Sequence, residues 1–131
     1  MPVVIVGGGL AGLTAAIRLA QAGLQVTLIE KKTYPYHKVC GEYVSNEVLP
    51  YLQALGADMA ELQPARINRF RLSAPSGYIL ETNLDLGGFG ISRYTLDHYL
   101  YQLAVKNGVN FILNTAVQQV VFENNEFILS L

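Results

Sequence analysis

Three glycines spaced G-x-G-x-x-G, at Gly7, Gly9 and Gly12, follow a short β-branched run, Val3 to Val6, and open an apolar pattern with helical period. A loop of this kind binds anions through its main chain. Gly7 permits the tight turn out of a strand. Gly9 has no side chain, so a pyrophosphate can approach the backbone, and Gly12 lets the following helix pack close to the strand. The first-turn N–H groups, at Leu10, Ala11 and Gly12, lack partners inside the helix and point at the anion. The helix dipole adds about 0.3–1 kcal/mol. Glu30 ends a second apolar run roughly 20 residues beyond the loop, where a carboxylate accepts hydrogen bonds from ribose hydroxyls and repels a 2′-phosphate. Lys31 and Lys32 follow it and soften that repulsion. Strand, loop, helix and acid together predict a dinucleotide site that favours an unphosphorylated ribose.

Other chemistry-bearing residues are sparse. Cys40 is the only cysteine, which excludes an internal disulfide and argues against a thiolate metal site. It reads either as a small buried hydrophobe or as part of a binding surface. Lys38 reads equally as a surface lysine or a site residue. Arg93 opens a helical pattern, where the positive end of the helix dipole disfavours a cation; a bound phosphate would relieve that conflict. His37 and His98 have no partners at metal or triad spacing, and Glu42 and Glu47 read as solvated. No nucleophile and no metal site are assigned. The aromatic residues Tyr34, Tyr36, Tyr94, Tyr99 and Tyr101 read as core or interface packing.

The elements that must position these residues follow from periodicity and punctuation. Val3 to Val6 reads as a strand buried on both faces. Leu10 to Ala22 reads as a helix with Leu13, Ala16, Ile17 and Ala20 inward, and Leu24 to Glu30 as a second strand. This is β-α-β, the minimum crossover for a parallel pair. Thr33 to Tyr43 looks irregular. A helix runs from a Ser45 cap to about Leu55. Arg66 to Ala74 and Tyr78 to Asn83 form a hairpin around Pro75-Ser76-Gly77, and the glycine-containing stretch Leu84 to Ser92 reads as a loop. Tyr94 to Lys106 is a helix with Leu96, Leu100, Leu103 and Ala104 inward, followed by a strand at Val109 to Leu113. Val117 to Phe122 and Phe127 to Leu131 flank Glu123-Asn124-Asn125-Glu126, another hairpin signal. The predicted class is α/β, with a parallel sheet and an antiparallel β excursion.

Composition narrows the function classes. The 131 residues suit one domain, and 51% hydrophobic against 15% charged residues, with a mean hydropathy of +0.28, supply a core and argue against disorder. A formal net charge of −1 provides no basic field for nucleic acid. No apolar run reaches the length of about 18 residues that suggests a membrane span. The N-terminus lacks the basic region of a signal peptide. A single cysteine fits a reducing compartment, and a cytoplasmic location is expected.

Two further motifs, Lys38-Val39-Cys40-Gly41 and Arg93-Tyr94-Thr95-Leu96-Asp97, accompany the glycine loop and Glu30. With them the chain resembles, across essentially all 131 residues, the geranylgeranyl reductase-like branch of FAD-dependent oxidoreductases. That branch is related to p-hydroxybenzoate hydroxylase-type monooxygenases and flavin-dependent halogenases. The resemblance implies a Rossmann-like FAD/NAD(P)-binding fold and FAD as cofactor. It implies that backbone groups around Cys40 and Gly41 face the ribityl and flavin portion. Arg93 would approach the phosphate–ribitol region, and Val117, in the strand after the second helix, would offer backbone groups to the adenine. It also implies reduction or dehydrogenation of an apolar substrate, with NAD(P)H as electron donor. Hydroxylation by a flavin monooxygenase is the near alternative, and a nucleotide-binding module without activity of its own is another. A plain NAD-binding domain is disfavoured by the inserted strands at Arg66 to Asn83. The family's second flavin fingerprint, a Gly-Asp stretch, has no counterpart here. The whole chain is therefore expected to be an N-terminal FAD-binding domain that lacks the C-terminal flavin motif and most of the substrate domain.

Overall fold

The computed structural model describes residues 2–131. Strand β1 (Val3–Val6) leads through the glycine loop into helix α1 (Leu10–Gln21), which returns to β2 (Val26–Ile29). The two strands pair in parallel, Val3 opposite Val26 and Val6 opposite Ile29. The expected crossover unit is therefore present. A third parallel strand, β6 (Asn110–Ile112), adds to the other edge of β2, so β2 is central.

Helix α1 packs Leu13, Ala16 and Ile17, all fully buried, toward Val26 and Leu28 of the sheet. Helix α3 (Arg93–Lys106) lies beside α1 and contributes Leu96, Leu100 and Ala104 to the same core, while Leu103 is only partly buried. Full burial of each large aliphatic side chain stabilises the fold by about 1.5–3 kcal/mol. Ser92 caps α3 by accepting a hydrogen bond from the Thr95 N–H at 3.2 Å.

The other sheet face differs from expectation. Val4 is 45% exposed and Val6 53% exposed. The β-branched run of β1 is thus covered on one face only, because α1 and α3 both lie on the same side.

Between β2 and α3 the chain makes a second, antiparallel sheet. A short strand β3 (Tyr43–Ser45), not expected from sequence, pairs with the end of the long strand β5 (Ile79–Gly90), and β4 (Ala65–Ser73) pairs with β5 on its other side. The predicted loop at Leu84 to Ser92 is a correction: β5 continues to Gly90. Its glycines mark close approach of neighbouring strands rather than a break. At Gly88 an added Cβ would collide with the Tyr43 ring of β3. The pairing with β4 is nonetheless irregular, since residues 84–87 stand opposite the single residue Asn68.

The predicted helix from Ser45 to Leu55 is also split. Ser45 accepts from the Glu47 N–H, but a 3₁₀ turn at Asn46–Val48 precedes helix α2 (Leu49–Ala54). Pro50, in the first turn of α2, lacks the N–H that a continuous helix from Ser45 would use. The last strands, β7 (Gln119–Glu123) and β8 (Glu126–Ser130), form the expected hairpin. Asn124 and Asn125 both have positive φ (51° and 65°), as a two-residue type I′ turn demands.

Candidate functional site

The glycine loop sits at the C-terminal end of the parallel strands, where open α/β sheets bind their ligands. Gly7 has φ +99°, a conformation that side-chain-bearing residues rarely adopt. An added Cβ at Gly12 would collide with the Gly7 carbonyl, so the bare helix face is what lets α1 approach the turn. Gly9 is different. It is the N-cap of α1 with an extended backbone at φ −78°, and a Cβ there would meet only the Lys38 Nζ, at 3.8 Å. The space above Gly9 is open toward a ligand. No side chain caps α1 and no acid lies in its first turn, so the N–H groups at Leu10, Ala11 and Gly12 are free of a protein anion.

Glu30 is 5% exposed. Its Oε2 accepts from the Gly8 N–H at 2.6 Å and its Oε1 from the Lys32 N–H at 3.1 Å. A carboxylate has about four acceptor positions, so two backbone bonds leave capacity for ribose hydroxyls. The acid is therefore also a brace for the loop, a role that its spacing did not reveal. A cleft of about 170 Å³ opens beside it, lined by Gly7, Glu30, Lys31, Thr115 and Val117 among others. Val117 is a correction in one respect. It precedes β7 rather than lying in a strand, and it reaches the cleft because the Thr115 N–H is tied to the Glu30 carbonyl at 3.1 Å.

A second group surrounds the mouth of α1. Asp97, 1% exposed, accepts from Arg93 Nε at 2.7 Å and Nη2 at 2.9 Å, and from Lys38 Nζ at 2.9 Å. One carboxylate thus gathers Arg93 from one turn earlier and Lys38 from 59 residues away, and sets the Lys38 ammonium next to Gly9. The dipole conflict foreseen for Arg93 is relieved by Asp97 one turn later. Hydrogen bonding to Asp97 raises the Arg93 pKa, although burial opposes it. Burial alone would lower the Lys38 pKa, but its contacts with Tyr36 and Asp97 outweigh that and hold it above the usual lysine value. Cys40 is exposed, which removes the reading of a buried hydrophobe, and it lies near enough to Arg93 to add to that group's raised pKa. Gly41 is exposed, and an added Cβ there would meet nothing within 4 Å.

Three residues of this site were not singled out from sequence for it: Gly8, Tyr34 and Asp97. Asp97 carried a legible signal, an Arg four residues earlier on one helix face. Gly8 is the middle of a glycine run, and an added Cβ there would collide with the Tyr34 hydroxyl. Nothing local marked Tyr34. Tyr34 stacks on Tyr101 and His37 on Tyr94, both at 4.6 Å between ring centroids, and Tyr94 is exposed rather than in the core. A larger cleft, about 610 Å³, lies instead against β4 and β5 near Arg66 and Phe89. It contains none of the loop residues, so its size does not outweigh the donor geometry at Gly9.

Residues 2–38 match the family described as FAD binding domain. The chain is 29% identical over 130 residues to a menaquinone reductase of Mycolicibacterium smegmatis, covering 94% of this chain and 31% of that protein. It is 30% identical over 132 residues to a digeranylgeranylglycerophospholipid reductase of Methanoculleus marisnigri, covering 93% and 31%. Its fold is similar to that of a geranylgeranyl bacteriochlorophyll reductase-like protein of Thermoplasma acidophilum, with a TM-score of 0.73 and 26% identity over 96% of this chain and 36% of that one. The chain spans about a quarter to a third of the length of the curated relatives it matches. These likenesses identify the fold as the Rossmann type of FAD-binding enzymes and the cofactor as FAD. Among the described residues, no helix is long and apolar enough to cross a membrane.

Proposed function

We propose that this chain is the N-terminal FAD-binding part of a longer flavin-dependent reductase or dehydrogenase acting on an apolar, isoprenoid-like substrate. The observation that carries the reading is the open, uncapped N-terminus of α1 at Gly9, flanked by buried Glu30 on one side and the Lys38–Asp97–Arg93 cluster on the other. The named activities of the reductase relatives support the substrate class, and their greater length supports a further substrate-binding part.

FAD, when bound, would supply the acceptor and donor of the electron pair. The protein's part is to hold and orient it. The first-turn N–H groups of α1 would take the pyrophosphate, joined by the Lys38 ammonium beside Gly9. Glu30 would accept from the adenosine ribose, and the cleft at Val117 would take the adenine. Arg93, oriented by Asp97, and the exposed Cys40–Gly41 backbone would face the ribityl side. We take NAD(P)H as the electron donor of the whole enzyme and the cytoplasm as its location. The lone exposed thiol suits a reducing compartment.

Gly9→Val tests the site. Its backbone tolerates a side chain and the surrounding space is open, so the far-ultraviolet circular dichroism and the unfolding midpoint should match those of the parent. FAD affinity, read from quenching of flavin fluorescence, should fall below detection. Retained affinity in a folded Gly9→Val variant would remove the assignment.

A further inference from the structure

Tyr34 is not required by the glycine fingerprint, yet it makes one of the two side-chain bonds on Gly8. Its hydroxyl donates to the Gly8 carbonyl at 2.5 Å. Its ring is held from behind, stacked on Tyr101 of α3 with centroids 4.6 Å apart and 16° between planes, and edge-on to Phe111 of β6 at 6.3 Å. The other bond runs from the Gly8 N–H to Glu30 Oε2, at 2.6 Å.

These two bonds act on successive peptide units. A trans peptide directs its C=O and its N–H to opposite sides. With the Gly8 N–H on Glu30, the Gly7 carbonyl points the other way, toward α1, and this is the oxygen that an added Cβ at Gly12 would strike. With the Gly8 carbonyl on Tyr34, the Gly9 N–H must point away from Tyr34. Gly9 is the N-cap of a helix whose first-turn donors have no protein cap. At such a mouth an N–H attracts an anion, and a carbonyl oxygen turned the same way repels it.

We propose that Tyr34 is a positioning residue of the diphosphate loop: its hydroxyl holds the Gly8 carbonyl out of the anion site and so keeps the Gly9 N–H turned outward for a diphosphate. The inference rests on the reading of the loop as an FAD site and deepens it, since Tyr34 itself touches no phosphate. Burial, and then the nearby Glu30 charge, raise the Tyr34 pKa far above the usual phenol value, so the hydroxyl remains a donor at every working pH.

Tyr34→Phe keeps the ring and its stacking and removes one O–H. Dissociation constants for ADP and for adenosine, measured by titration calorimetry or by competition, separate the two halves of the site. ADP affinity should fall roughly 3- to 10-fold, the worth of one hydrogen bond. Adenosine affinity should be unchanged, because Glu30 and the cleft are untouched. A ligand-free measurement gives a second readout. The Gly9 amide should shift in the ¹⁵N spectrum of Tyr34→Phe, while the Leu13 amide, bonded to the Gly9 carbonyl at 2.9 Å, should not. Equal losses for ADP and adenosine, or unchanged ADP binding with an unchanged Gly9 amide, would overturn the role of Tyr34. Failure of the parent chain to bind ADP at all would instead overturn the reading of the site.

Discussion

Asp97 carries the largest electrostatic burden of any single residue in the site. It is fully buried, and its two partners are partly exposed, at 17% for the Arg93 side chain and 23% for Lys38. Removing the carboxylate charge leaves two cations facing each other with no counter-ion. Breaking a buried pair from one side costs about 3–5 kcal/mol. Because both cations retain some access to water, Asp97→Asn should fall at the low end, on the order of 3 kcal/mol in urea unfolding. It should also lower FAD affinity, because Lys38 is then no longer held beside Gly9. A shift in the urea midpoint equivalent to less than about 1 kcal/mol would mean that the cluster acts as an exposed pair.

Among the elements, α3 shows most directly how local chemistry sets the site. Its start fixes Arg93 and Asp97 one turn apart, and that start is fixed by Ser92, whose Oγ accepts from the Thr95 N–H. Ser92→Ala should cost about 1 kcal/mol of stability, as loss of an N-cap does. Fraying of the first turn should loosen Arg93 from Asp97. The check is a thermal unfolding curve beside an FAD titration, in which both midpoints should move together. This element was legible in sequence to within one residue, because apolar period and cap are both local. Strand β5 was not. Gly87, Gly88 and Gly90 carry the composition of a loop, and only the presence of Tyr43 across the sheet shows that they make room for a neighbour.

The molecule as a whole is unevenly covered. One face of the parallel sheet is packed under α1 and α3. The other leaves Val4, Val6 and Ile112 open. Parallel sheets are ordinarily covered on both faces. The β7–β8 hairpin is more open still, with Val120, Phe122, Phe127 and Ile128 all exposed and its main internal support the Phe122–Phe127 ring contact at 4.8 Å. A two-stranded hairpin is marginal unless it is packed on something. Hydrogen exchange should therefore show β7 and β8 amides far less protected than those of β2 and α1, opening well below the global unfolding free energy. Equal protection across the chain would show that the hairpin belongs to the main cooperative unit.

What the sequence by itself determined is the part of the site whose physics is local. A β-branched run, three glycines at fixed offsets, a helical period and an acid at the end of the next strand specify the turn, the helix N-terminus and the carboxylate. Backbone geometry and side-chain period act over a few residues, and the crossover brings Glu30 back to Gly8 with little latitude. The tertiary structure alone decided how that loop is held. Tyr34 reaches Gly8 across 26 residues, Lys38 reaches Asp97 across 59, and Val117 joins the cleft through a bond between Thr115 and Glu30. No spacing rule links such pairs, because each depends on how α1, α3 and the sheet pack together, and that packing is set by the buried core rather than by the residues that meet.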